Sequence, residues 1–196
     1  EVQAHGLKIE DESLLIPITD SAGVMQSLQI ISPRGEKRFL SGGKVKAGFH
    51  KIGPLTNPVI VCEGYATAAT LHEATGLCCV AAFSASNLAA VATSIRSVNA
   101  ELQILIAADD DWKTAKNPGL AAATQAAKSV NATVVSPTFP SQRSEKDTDF
   151  NDLKVKCGIA AVRQAIDHAV NEPRPNQDWP DPTDLTPPGG PPVKKF

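Results

Sequence analysis

The spacing of apolar and polar positions divides the chain into two parts. Through residue 53, short apolar runs are broken every few positions by turn residues. Ser13–Thr19 (SLLIPIT) and Val24–Ile31 (VMQSLQII) have strand length and β-branched content, and Asp20-Ser21-Ala22-Gly23 between them reads as a turn. Lys37–Leu40 and Gly48–Ile52 predict further strands, separated by Ser41-Gly42-Gly43. From Pro58 the pattern changes to unalternated apolar runs that take turns with helical stretches. Strand Val59–Cys62 leads to a helix over Ala66–Ala74 closed by Gly76, then to strand Cys78–Phe83. Ser84 or Ser86 is placed to cap a helix over Asn87–Val98. Strand Leu102–Ala108, a helix over Gly119–Val130 and strand Thr133–Ser136 follow. After a polar loop, Ile159, Val162, Ile166 and Val170 mark the apolar face of a last helix.

This order predicts an α/β fold: a mostly parallel sheet flanked by helices on both faces, preceded by a small β-rich subdomain. The domain division is 1–53, 54–171 and a Pro-rich linker or tail at 172–196, where prolines are too dense for a packed element. A run without polar alternation is a strand buried on both faces, and right-handed crossovers bring the carboxyl ends of parallel strands to one edge. Two such runs end in carboxylates: Val59-Ile60-Val61-Cys62 in Glu63-Gly64, and Ile104 to Ala108 in Asp109-Asp110-Asp111. Ligands bind at that edge in open parallel sheets, and converging oxygen ligands suit a hard divalent cation, Mg2+ or Mn2+. Strand alternation sends Asp109 and Asp111 to one side and Asp110 away, into solvent.

Composition narrows the picture only a little. The 196 residues suffice for one medium domain or two small ones, with ordinary apolar and charged fractions. No apolar run approaches membrane-spanning length and no secretory leader opens the sequence. The first residue is not Met, and the chain reads as a piece of a longer polypeptide. Cys62, Cys78, Cys79 and Cys157 have no zinc-ribbon spacing and read as small apolar residues of a reducing compartment. His50 and His72 have no ligand partner at fixed spacing and read as structural. The net charge of -2 conceals a basic stretch, in which Arg34, Lys37, Arg38, Lys44, Lys46 and Lys51 face only Glu36. Such a stretch beside an acidic edge suits a polyanion, and a solvated strand face explains it as well.

The two strand ends, Glu63-Gly64 and Asp109-x-Asp111, in a unit of this size resemble the Toprim domain of bacterial-type primases, topoisomerases and some nucleases. The finer likeness, to primases of phages, plasmids and other mobile elements, rests on three further stretches. These are CEGYATAATLHEATG (62–76), ADDD with NPG and an Ala-rich helix (108–127), and DFNDL (149–153). KRFLSGGKVKAGFHKIG (37–53) is similar to the β-rich part that precedes Toprim in such primases, and 178–188 to the linker before a helicase module.

The resemblance implies a DNA primase fragment that joins ribonucleoside triphosphates on a single-stranded DNA template in a bacterial host's cytoplasm, with no membrane partner and a helicase module C-terminal to it. It implies catalysis by Glu63, Asp109 and Asp111, and Mg2+ held by these three with Asp149. Arg34, Lys37, Arg38, Lys44 and Lys46 are expected on template phosphates, and Gly64 with the helix start behind it, and Lys113, on the nucleotide. Lys116 and the helix start at Ser84–Asn87 are further phosphate candidates; a solvated loop explains Lys113 and Lys116 as well, and plain capping explains Ser84–Asn87. Asn151 and Asp152 read equally as caps of the last helix. One position departs from replicative bacterial primases: Thr67 stands where they commonly carry another acid one helical turn after the Glu. The alternatives are a Toprim nuclease using water on the same metal site, and a non-catalytic nucleic-acid-binding module. A topoisomerase needs a tyrosine nucleophile, and the only tyrosine here is Tyr65.

Overall fold

A computed structural model describes residues 4–140 and 143–171; the linker predicted at 172–196 lies outside the described residues. Strands β1 (Lys8–Glu10), β2 (Ser13–Thr19), β3 (Met25–Ile31) and β4 (Lys37–Phe39) form an antiparallel meander in chain order. Ile16 and Ile18 of β2 bury with Leu7 and Phe83 on one face of it.

The second sheet is built from β5 (His50–Ile52), β6 (Val59–Cys62), β7 (Cys78–Ala81), β8 (Ile104–Ala107) and β9 (Thr133–Val135), in the order β5-β7-β6-β8-β9. Strands β6 to β9 run parallel, and β5 adds antiparallel at the edge. The strand expected at Gly48–Ile52 therefore belongs to this sheet and not to the meander. His50 and Ile52 are buried while Lys51 between them is exposed, so β5 pairs with β7 along its edge and buries one face, with Ile52 in the core that α1 covers. A single bridge, Thr19 to Phe49, joins it to the meander.

Strand alternation sorts the core. Val59, Val61, Val80, Ile104 and Ile106 face α2 (Leu88–Val98) and α3 (Pro118–Val130). Ile60, Cys62, Cys79, Leu105 and Ala107 face α1 (Tyr65–Thr75), α4 (Phe150–Cys157) and α5 (Ile159–Asn171). Both faces are covered, which is why β6, β7 and β8 lack polar positions. Burying each aliphatic side chain of this size contributes roughly 1.5–3 kcal/mol. Gly76 stops α1 in the left-handed conformation (φ 72°) and donates its N–H to the His72 carbonyl. Cys62, Cys78 and Cys79 are buried thiols, raised in pKa chiefly by burial, and Cys157 is exposed. No helix among the described residues is long and apolar enough to cross a membrane.

The cap expected from Ser84 or Ser86 is not made. Their hydroxyls lie 3.1 Å from each other, and a single 3-10 turn, Ala85–Asn87, leads into α2. Asn87 turns inward instead. Its amide nitrogen donates to the carbonyls of Val45 (3.3 Å), Gly48 (3.0 Å) and Ala82 (2.8 Å), and its oxygen accepts from the Ala47 N–H (2.8 Å). This buried clasp fastens the segment carrying Lys44 and Lys46 to the parallel sheet and holds Ala47 at φ 61°. Asn87→Ala takes this partner from the Gly48 and Ala82 carbonyls and the Ala47 N–H, while the Val45 carbonyl keeps the Gly48 N–H, and a loss of about 2–3 kcal/mol is expected in urea unfolding. A loss below about 0.5 kcal/mol, the scale of an ordinary surface change, would mean the clasp holds nothing.

Candidate active site at the carboxyl edge of the parallel sheet

Strands β6 and β8 are neighbours, with Cys62 opposite Ala107. Glu63 leaves β6 one residue past that pair and Asp109 leaves β8 two residues past it, on chains about 4.8 Å apart. The Glu63 carbonyl accepts from the Phe83 N–H at 2.7 Å, where Phe83 turns the chain at φ 69°, and its carboxylate accepts from the Ala85 N–H.

The acids share one field. Burial and then the charge of Asp111 push the Glu63 pKa up, against the Ala85 N–H and the Lys37 ammonium, which lower it. Asp109 is pushed to about 7, first by burial and then by Glu63, Asp149, Asp111 and Asp152. Asp149 is raised by burial, with the Asp152 N–H and the Thr67 hydroxyl opposing. Residues from β6, β8 and the start of α4 therefore meet electrostatically at one edge.

The loop after β8 sorts its three aspartates. Asp109 turns inward, and its Oδ1 is buried with no hydrogen-bond partner. Asp111 lies back on α3: its Oδ2 accepts from the Gly119 N–H at 2.9 Å, and its own N–H donates to Asn117 Oδ1 at 2.8 Å. Asp110 does not point into solvent as its place in the strand alternation predicts. It forms a 2.6 Å ion pair with Arg143, whose second nitrogen donates to the Asp110 carbonyl at 2.8 Å, and Asn117 Nδ2 donates to its Oδ1 at 2.5 Å. Alternation did send Asp110 away from Asp109, but onto a cation supplied from the polar loop. Arg143 is itself held over the rings of Trp112 (4.9 Å) and Phe139 (4.7 Å).

Three supports were missed in the sequence. Gly119 is one: a Cβ there would lie 2.6 Å from the Asp109 carbonyl oxygen and 2.9 Å from Asp111 Oδ2. Asn117, in the left-handed region at φ 41°, is another, and Arg143 the third. The NPG string signalled the first two, since Asn-Pro-Gly at a helix start combines cap, N1 proline and close backbone approach. Nothing local marks Arg143, whose partner lies 33 positions earlier.

Asp149 is the N-cap of α4, in a capping box with Asp152: Asp149 Oδ1 accepts the Asp152 N–H (2.8 Å), and Asp152 Oδ2 accepts the Asp149 N–H (3.2 Å). The helix capped is α4, which the sequence left inside the polar loop. Asn151 does not cap; its Oδ1 accepts from the Thr70 hydroxyl at 3.1 Å. The other oxygen of Asp149 accepts from the Thr67 hydroxyl at 2.8 Å. The position that departs from the family pattern thus donates a hydrogen bond to an acid. Gly64 precedes α1 without a side-chain cap, and a Cβ there would meet only Thr67 Oγ1, at 3.7 Å.

Arg34, Lys37, Arg38, Lys44 and Lys46 are all exposed, and among the described residues none of them is in an ion pair. Lys37 is close enough to act on Glu63, which links the basic strand β4 to the acidic edge. Lys113 is engaged elsewhere, 3.3 Å from Glu145 and 4.7 Å over the Trp112 ring.

An orphaned buried carboxylate oxygen, in a field of like charges raising its pKa, is a site short of positive charge. Hard oxygen donors, with only the exposed Lys37 near enough to act on one of them, fit a divalent cation such as Mg2+. Among the described residues, no three His, Cys, Asp or Glu side chains are drawn together as a finished cation cage.

Comparison with known proteins shows the family of the chain. The family model described as Toprim domain matches residues 58–160. Two Escherichia coli proteins, both called DNA primase TraC, are 34% identical over 83% of this chain and 35% identical over 66% of it. The chain spans only 12% and 13% of the length of these relatives. The primase fragment of the bacteriophage T7 primase-helicase protein shares the fold, with a TM-score of 0.58 at 14% identity over 84% of this chain and 69% of that one.

Proposed function

The chain belongs to the Toprim domain family, and from that membership we propose that it is a catalytic part of a DNA primase. In this reading it joins ribonucleoside triphosphates into a primer on single-stranded DNA, with Mg2+ (or Mn2+) at the carboxyl edge of the parallel sheet. The observation that carries the reading is Asp109. It is half-buried, raised to about 7 and left with a buried, unpartnered oxygen in the field of Glu63, Asp111 and Asp149, which arrive from separate elements.

Glu63, Asp109 and Asp111 are the catalytic carboxylates, and these three with Asp149 hold the metal. When bound, the metal supplies Lewis-acid stabilisation of the charge that builds on the transferring phosphoryl oxygens and the leaving pyrophosphate. The protein's own contribution is positional. Gly119 and Asn117 fix Asp111, the Arg143 pair fixes the loop around Asp109, and Thr67 fixes one oxygen of Asp149. A primer 3′-hydroxyl attacking in line needs no Ser, Cys or His nucleophile. Gly64, at the start of α1, leaves space beside the nucleotide, and Lys113 reaches its phosphates by exchanging Glu145 for them. Arg34, Lys37, Arg38, Lys44 and Lys46 hold template phosphates without reading sequence. The division into a β-rich basic unit, 1–53, and a Toprim unit, 54–171, belongs to the same proposal, with β5 completing the Toprim sheet. That the T7 neighbour is part of a primase-helicase protein supports a helicase partner for the full polypeptide.

The test is incubation of the chain with single-stranded DNA, labelled ribonucleotides and Mg2+. Short RNA products are expected, absent without template and absent in chelator. Cleavage of DNA in Mg2+ without nucleotides would replace this reading with a nuclease. Binding of DNA without either reaction would replace it with a non-catalytic module.

A further inference from the structure

We propose that Phe39 is a stacking platform for a base of the single-stranded DNA, set beside the catalytic carboxylates on edge strand β4. The proposal rests on the primase reading for the identity of the strand. It follows from where the ring is held and what flanks it. β4 is the last strand of the meander, with no partner on its outer side among the described residues. Phe39 is 40% exposed there, and a lone exposed phenylalanine would be unremarkable.

This ring is not loose, however. It meets Phe83 edge to face, with centroids 6.2 Å apart and planes at 87°. Phe83 is buried against Leu7, Ile16 and Ile18, and its N–H donates to the Glu63 carbonyl. The exposed ring is thus braced by a residue bonded to the catalytic strand end. A braced ring gives up little conformational freedom when a base stacks on it.

Its neighbours suit a nucleic acid strand. Lys37, two positions earlier and on the same side of β4, acts on Glu63. Arg34 in the turn before the strand, Arg38 on it, and Lys44 and Lys46 in the loop after it continue the positive surface, free of ion pairs among the described residues. Cations spread that far exceed what one triphosphate engages and match a track of backbone phosphates. An aromatic face within such a track binds bases irrespective of sequence.

The test compares wild type with Phe39→Leu and Phe39→Tyr. Leucine keeps apolar contact with Phe83 but has no π face; tyrosine keeps the face. Binding is read by fluorescence anisotropy on short oligothymidylate and on an abasic strand of equal length, across a salt series. Phe39→Leu is expected to weaken oligothymidylate binding about tenfold, and Phe39→Tyr to stay near wild type. On the abasic strand wild type should already be weak, and Phe39→Leu should add nothing. The salt slope should be common to all three proteins, because no phosphate contact is removed. Unchanged oligothymidylate affinity in Phe39→Leu, or an equal loss on the abasic strand, overturns the platform. A loss confined to free ribonucleoside triphosphate assigns the ring to the incoming nucleotide and overturns it too. Wild type that binds no single-stranded DNA sinks both this proposal and the primase reading. Wild type that binds DNA and makes primers, beside an unaffected Phe39→Leu, sinks the platform alone.

Discussion

Asp109→Asn is expected to lower primer synthesis by about a thousandfold or more, equivalent to about 4 kcal/mol of transition-state stabilisation. Affinity for single-stranded DNA should stay within about twofold of wild type, because the phosphate contacts proposed above lie on β4 and the loops on either side of it, not on Asp109. The size of the effect follows from where Asp109 sits. Its neighbour acids each have an oxygen occupied by the protein: Asp111 by the Gly119 N–H, Asp149 by the Thr67 hydroxyl and the Asp152 N–H. Asp109 keeps a buried oxygen with no partner at all. It is therefore the group whose charge is least compensated by protein and most dependent on a cation. Asparagine preserves the shape and removes that charge. Primer assays and anisotropy on the same preparation check this. Retained synthesis would move the metal away from Asp109, and loss of synthesis and binding together would point to a disturbed fold.

Around that residue the loop works as an alternating device. Asp109 turns in, Asp110 turns out to Arg143, and Asp111 turns back onto the N-terminus of α3. The Arg143 guanidinium reaches Asp110 through both its carboxylate and its carbonyl, so it fixes backbone as well as side chain. A carboxylate cluster repels itself, and the loop would relax outward without such ties. The chain resists this with the Asp110–Arg143 ion pair and with the Gly119 N–H that holds Asp111.

What could be read from sequence was whatever depends on short-range pattern. VIVC and ILIA had to be doubly buried strands because nothing polar interrupts them, and burial on both faces forces helices onto both sides. Once β6 and β8 are parallel, Glu63 and Asp109 must emerge at one edge. The strand His50–Ile52 was recognisable, but its partner was not. Pairing is decided by which sheet receives His50 and Ile52, and both lie far in sequence from β7. α4 was hidden because Asp147 to Asp152 is polar enough to pass for loop. Only the reciprocal Asp149–Asp152 cap shows that the polarity begins a helix. Asp110 was misread for a related reason: a charged side chain pointing out of a strand end is solvated by default, unless a distant segment brings an arginine. Long-range side-chain pairs of this kind carry no local signature, and they finish the site.

In metal-free protein the same Asp109→Asn change is expected to raise stability at pH 8 by roughly 2–3 kcal/mol, while wild type loses stability as pH rises towards 7. The sign follows from the proton balance. Asp109 has an ordinary pKa near 3.8 in the unfolded chain and about 7 in the fold, so between those values the folded state holds a proton that the unfolded state has released. Its contribution is complete below about 4, falls by at most about 1.4 kcal/mol per pH unit through the window, and is gone above about 7. Glu63 and Asp149 shift the same way. His50 opposes them, because burial lowers its pKa and stability is then lost as pH falls below 6.5. Wild type minus Asp109→Asn removes the His50 contribution, which both proteins share. Urea unfolding at half-unit steps from pH 5 to 8 in chelator should show this difference widening in the variant's favour up to pH 7 and level beyond. Mg2+ should reverse the order: at a hundred times its dissociation constant it adds about 2.7 kcal/mol to a protein that binds it when folded, and the variant should gain far less. Parallel pH curves in chelator would mean that Asp109 is ionised in the fold without strain. Equal Mg2+ stabilisation of both proteins would mean that the cation binds elsewhere, and either result removes Asp109 from the metal centre.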